Sequence, residues 1–182
     1  MHNRKILIIG EVYVDQHLDI IENGYSTSRL GGIFHAARSC DALNIEYALA
    51  YYAPDYLVKD VEKFGIDVLR ASSIFRLGKV DKAPNVMLIG QSDESGNQLY
   101  ENILGRQAEY VSMLPFMQVL DDFDPTDIII FPGRYGNAGI LSNLSNYEGK
   151  IHIDMNYDCD DILDLDLSLI HISEPTRRVV IS

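Results

Sequence analysis

The sequence predicts an α/β protein in which a mostly parallel sheet is covered by helices and a small β excursion is inserted. Three observations carry this expectation. Lys5-Ile6-Leu7-Ile8-Ile9-Gly10 is a β-branched run ending in glycine, the pattern of a buried parallel strand meeting a turn. A second such run occupies Asp127 to Phe131. Between them, apolar residues fall at helical spacing. The composition agrees, since 47% hydrophobic and 23% charged residues with 13 Gly and 6 Pro fit neither a disordered nor a fibrous chain. A chain of 182 residues buries enough surface to fold without disulfide staples.

After Gly10 the chain continues extended through Val12, Val14, Leu18 and Ile20. From Gly31 the pattern changes, with Ile33, Ala36, Ala37, Cys40 and Leu43 on one helical face and Arg38, Ser39 and Asp41 on the other. Ile45 to Tyr52 reads as a strand, and Asp55 is placed to cap a helix whose Leu57, Val61 and Phe64 share a face before Gly65 stops it. The middle third departs from this β/α rhythm. Pro84 to Gly90 and Gln98 to Leu104 are strand-like runs joined by a polar turn, which predicts a hairpin at about 84–104. A lone hairpin is marginal in water, so it must pack on the main sheet, on a companion strand near Ile74 to Leu77, or on a second subunit. A helix near Pro115 to Leu120, the strand Asp127 to Phe131, a helix around Ile140 to Leu144 and the strand Lys150 to Asp154 complete the series.

Fifteen Lys plus Arg against 27 Asp plus Glu give a net charge of −12. Such a field repels phosphate polyanions and anionic lipid, so neither nucleic acid nor a membrane is an expected partner. No apolar run reaches the roughly 18 residues of a membrane span, and the N-terminus enters a strand pattern at once; the expected location is the cytoplasm. Cys40 and Cys159 show no metal-ligand or redox spacing, so no metal site is expected. Six aspartates crowd Asp154 to Asp166, and the following Leu167 to Arg177 resembles a translated transposase adapter of the kind used in sequencing libraries. The expectation is a native portion over 1–166 that continues in the natural protein, and a non-native tail over 167–182.

Several residues stand where chemistry is done. Asp15 lies beyond the first strand, where open parallel sheets place ligands, and a carboxylate there can accept from two neighbouring hydroxyls; a surface aspartate in a loop is the alternative. Gly31-Gly32 opens a helix and can point free N–H groups at a ligand, although such pairs also serve tight turns. His35 sits in the first turn of that helix. Gly133, Gly136 and Gly139, with Arg134 among them, follow a strand and suit either an anion site or a flexible turn. Asp154-Met155-Asn156 ends the last strand, as a ligand edge or as part of the acidic stretch. No nucleophile elbow is present, and neither cysteine has a basic partner of the kind that would make it a nucleophile.

Taken together, these pieces resemble the ribokinase-like, phosphofructokinase B-type carbohydrate kinases. Gly10-Glu11-Val12-Tyr13-Val14-Asp15 is similar to that family's opening Gly-x-x-x-x-Asp, and Gly31-Gly32-Ile33-Phe34-His35-Ala36-Ala37 to its Gly-Gly-x-x-Asn-x-Ala. The hairpin resembles the family's β lid, and Asp154-Met155-Asn156-Tyr157 its Asp-Pro-Asn-Tyr, in matching order over residues 5 to 160. The resemblance implies an ATP-dependent phosphotransfer to a sugar hydroxyl. Asp15, Gly31, Gly32, His35, Arg134 and Asn156 would be substrate-binding, ATP and Mg²⁺ would be used by the full-length protein, and the lid is a candidate for pairing two copies. His35 replaces the usual asparagine, and Ala53-Pro54-Asp55 a common Gly-x-Asp. The Gly-Ala-Gly-Asp that supplies the catalytic base and anion hole is missing, as is the nucleotide-binding half, so catalytic and nucleotide-binding residues are not expected here and the chain should be inactive alone. The alternatives are a nucleoside kinase of the same superfamily and a non-catalytic ligand-binding α/β domain.

Overall fold

The computed structural model describes residues 4–22, 25–92, 98–102, 108–131 and 135–154. At its centre is β1 (Lys5–Glu11), paired in parallel with β4 (Glu46–Ala53) on one side and β9 (Asp127–Ile130) on the other. Beyond β9 lies β10 (Lys150–Ile153), also parallel; beyond β4 lie the parallel β5 (Ser73–Asp81) and the antiparallel edge strand β8 (Glu109–Ser112). The resulting order is β10-β9-β1-β4-β5-β8.

The central strands of this sheet, β1, β4 and β9, are apolar on both faces, which is why they read as nearly continuous hydrophobic runs. Along β1, Leu7 and Ile9 enter one core with Ala48, Ala50, Ile128 and Ile130. Ile6 and Ile8 point the other way, toward Tyr47, Leu49 and Tyr51. Helices cover each side. α1 (Phe34–Ala42) and α2 (Val58–Lys63) bring Phe34, Ala37, Cys40 and Val61 to the second core. α3 (Phe116–Phe123) and α4 (Asn137–Ser142) bring Phe116, Val119, Phe123 and Ile140 to the first. Each fully buried Ile or Leu contributes about 1.5–3 kcal/mol, so β1 and its two neighbours hold the domain together.

The expected hairpin exists as β6 (Val86–Ser92) and antiparallel β7 (Gln98–Asn102). Its support differs from the alternatives expected. It belongs to a second sheet of order β3-β2-β6-β7, in which β2 (Val14–Glu22) pairs in parallel with β6 and antiparallel with β3 (Tyr25–Leu30). The segment near Ile74 to Leu77 is instead part of β5 in the main sheet. Three local expectations are corrected as well. Asp55 caps nothing; its carboxylate lies 2.6 Å from Arg76 and 2.8 Å from Lys79, and a 3-10 turn at Asp55–Leu57 precedes α2. Gly65 does not end the helix, because the chain continues as a π turn over Phe64–Val68. The reason is packing: a Cβ at residue 65 would lie 2.5 Å from Ile74 Cδ1, so glycine serves the close helix–sheet approach. Leu43, assigned to the apolar face of α1, is 69% exposed just past its end.

Among the described residues no helix is long and apolar enough to cross a membrane. The aspartates after Asp154, Cys159 and the segment 167–182 lie outside the described residues.

Candidate functional site

The two sheets meet where β1 runs into β2 through Val12 and Tyr13. Val12 N–H donates to Tyr52 O at 3.0 Å, closing the main sheet, and Val14 N–H donates to Asn85 O at 2.8 Å, opening the second. One residue further on, Asp15 stands opposite Arg29 of β3 and Met87 of β6. It is therefore on a strand and only 3% exposed, which disposes of the surface-loop reading.

A buried carboxylate needs partners to remain charged. Two side chains meet its Oδ2: His35 Nε2 at 2.9 Å and the Arg29 guanidinium Nε at 3.8 Å. An ionised carboxylate can only accept, so Nε2 carries the hydrogen in this contact and Nδ1 is left on the other side of the ring. The His35 side chain is 46% exposed, and the Asp15 carboxylate lies beneath it with 5% exposed. Arg38, one turn along α1, donates to Leu30 O at 2.7 Å and lies over the Phe64 ring. Burial and the neighbouring Arg29 lower its proton affinity, against an opposing pull from Asp15.

Gly31 and Gly32 are required by this geometry. A Cβ on Gly31 would sit 2.1 Å from Asp15 Oδ1, so any side chain there would evict the carboxylate. Gly32 has φ +62°, in the left-handed region, and a Cβ there would lie 2.1 Å from Glu11 O. The residues on either side of Gly32 turn their N–H groups back to the strand junction. Gly31 N–H donates to Tyr13 O at 2.8 Å and Ile33 N–H to Glu11 O at 3.1 Å. These bonds fasten the turn to the strand junction, and that is their physical reason.

Asp15, Gly31, Gly32 and His35 thus converge at the junction between the sheets. Arg134, Gly133 and Asn156 lie outside the described residues. Gly136 precedes α4, Gly139 lies within it, and Asp154 directly follows β10, where its N–H donates to Ile130 O at 3.0 Å. Among the described residues no group of three or more His, Cys, Asp or Glu could hold a metal.

The structure adds residues that the motifs did not flag. Glu11 is a buried carboxylate at the carboxyl end of β1; Tyr13 and Tyr110 hydroxyls donate to it at 2.8 Å each, and Asn85 Nδ2 at 3.3 Å. Arg29 was likewise missed, and its signal was available only through the strand pairing that sets it opposite Asp15.

No protein-family model matches the chain. No curated protein matches it either. Solved structures do. A PfkB family carbohydrate kinase from Listeria grayi aligns with a TM-score of 0.56 and 14% identity over 85% of this chain and 52% of its own. A fructokinase from Xylella fastidiosa aligns at 0.56 and 11% identity over 85% and 53%. An uncharacterized sugar kinase from Pyrococcus horikoshii, solved in complex with ATP, aligns at 0.53 and 14% over 90% and 54%. The chain spans about half the length of these structures, and identities this low speak for the fold alone. A parallel sheet, a second small sheet rooted at its first strand and these alignments together give the chain the fold of the ribokinase-like, PfkB-type carbohydrate kinases.

Proposed function

We propose that this chain is the sugar-binding portion of an ATP-dependent carbohydrate kinase and that the remainder of a longer protein supplies the nucleotide site and catalytic base. The observation that carries the reading is the Asp15 carboxylate, held on a buried strand between His35 and Arg29 with its Oδ1 beside a glycine. Vicinal hydroxyls of a sugar match a carboxylate that can accept twice, and in the neutral tautomer whose Nε2–H donates to Asp15, His35 Nδ1 accepts. Asparagine offers both functions at once; histidine, with Nε2–H committed to Asp15, offers its ligand an acceptor. The substrate hydroxyl facing His35 is therefore a donor in this reading. Arg134 and Asn156 belong to the same proposed site by resemblance.

Gly31 N–H and Ile33 N–H are turned to Tyr13 O and Glu11 O, which ties the glycine turn to the strand junction, and this reading places the nucleotide site outside the described residues. What this chain's residues do is bind, orient and shield the acceptor sugar. The fold is shared by kinases of several substrates, so the ligand is decided by binding. Nuclear magnetic resonance of the labelled chain against neutral hexoses, inositols and nucleosides tests this. Selective shifts of the Gly31, Gly32 and His35 signals with a hexose or inositol are expected. Selective shifts with nucleosides would favour the nucleoside-kinase alternative, and no shift with any of them would refute the reading.

A further inference from the structure

The substrate reading leaves a buried acidic group unused, and its contacts lead directly to the root of the second sheet. Glu11 is 7% exposed at the carboxyl end of the central strand. Its Oε1 accepts from Tyr110 of β8, and its Oε2 from Tyr13 and from Asn85, 74 residues away in sequence. Asn85 is itself 2% exposed, has a positive φ of 49°, and immediately precedes β6. Its amide also donates to Val12 O at 3.0 Å, and its carbonyl accepts from Val14 at 2.8 Å. Glu11 O meanwhile holds Ile33 N–H after the glycine turn.

These contacts define one node. The Val14–Asn85 bond is the first rung of the β2–β6 pairing, and Val14↔Val86 and Asp15↔Met87 follow it in register. A strand's register fixes which face every side chain takes, so a slip at this rung would move Asp15 off its face. We infer that Glu11 is a positioning residue: through Asn85 it sets the root of the lid sheet, and through its own carbonyl the glycine turn, so that Asp15 and His35 meet. Asn85 adopts the left-handed conformation because its side chain is thereby turned toward Glu11 and Val12, a cost that asparagine bears better than most residues. Tyr110 extends the node to the far edge strand of the main sheet, where its ring also packs edge-on against Tyr52 and Tyr135.

The inference rests on the sugar-site reading only for what the positioned residues are for; the positioning itself is independent of it. Amide hydrogen exchange on the 182-residue chain without ligand is the test. Glu11→Leu keeps much of the bulk but removes both oxygens that accept from Tyr13, Tyr110 and Asn85, and Asn85→Gly keeps the positive φ while removing the side chain. Each is expected to speed exchange of the β2–β6 amides at Val14–His17 and Val86–Ile89 by about tenfold or more, with Ala48–Tyr51 of β4 unchanged, a local opening and not a global one. Unchanged β2–β6 exchange, or acceleration shared equally by β4, would overturn the inference. Should one variant fail to fold, the other decides. Because no sugar is needed for this readout, a wild-type chain that binds no sugar refutes the substrate reading alone.

Discussion

At the scale of single residues, the site depends on what is absent from position 31. Gly31 leaves room for the Asp15 carboxylate, and the nearest atom to an added Cβ would be the carboxylate itself at 2.1 Å. Gly31→Ala is therefore expected to cost about 1–3 kcal/mol as overpacking and to displace Asp15 from His35. Urea unfolding reads the first effect and the His35 ring shifts the second; a variant as stable as wild type with unmoved His35 signals would contradict the account. This part of the site was legible in the sequence because Asp15, the glycine pair and His35 keep a recognisable spacing along the chain. Glu11 and Asn85 were not legible. Their contact joins positions 74 residues apart, and neither residue type in isolation distinguishes a buried node from a polar turn.

At the scale of elements, legibility followed hydrophobic pattern. β1, β4 and β9 are mostly apolar runs buried on both faces, β10 alternates Lys-Ile-His-Ile at the sheet edge, and the hairpin β6–β7 was flagged by its polar connection. β3, with the sequence Tyr-Ser-Thr-Ser-Arg-Leu, carries no apolar alternation and is specified by pairing with β2, so local propensity was silent. The same holds for β8, a four-residue edge strand whose position depends on Gly78 of β5. Between Tyr51 and Tyr52 the β4–β5 register skips one residue, and at Gly78 a Cβ would lie 2.4 Å from Tyr52 Cε1 and 2.6 Å from the Val111 carbonyl. Since backbone cannot yield as a flexible side chain can, Gly78→Ala is expected to destabilise by about 1–3 kcal/mol and to speed exchange in β8 ahead of β9. Equal stability in urea with β8 protection intact would show that the edge does not depend on this glycine.

At the scale of the whole molecule, two sheets share one junction, and the buried tyrosines around the main sheet set how the fold responds to alkali. Burial pushes Tyr47, Tyr51 and Tyr147 up to about 12. Unfolded tyrosine titrates near 10, so the native state favours the neutral phenol. Stability is thus fully present below about pH 10 and is lost as pH rises from there toward about 12. Urea midpoints between pH 8 and 11.5 should be flat and then fall, with a shallower fall in Tyr47→Phe; a flat profile to the end would contradict this. The chain spans about half the length of the kinases whose fold it shares. Calorimetric titration of the best-binding neutral sugar into wild type and Asp15→Asn tests whether the Asp15 carboxylate holds the sugar. Charge-assisted hydrogen bonds contribute about 1.5–3 kcal/mol each. The account predicts at least tenfold weaker binding by a variant that still folds, and an affinity within twofold of wild type would contradict it.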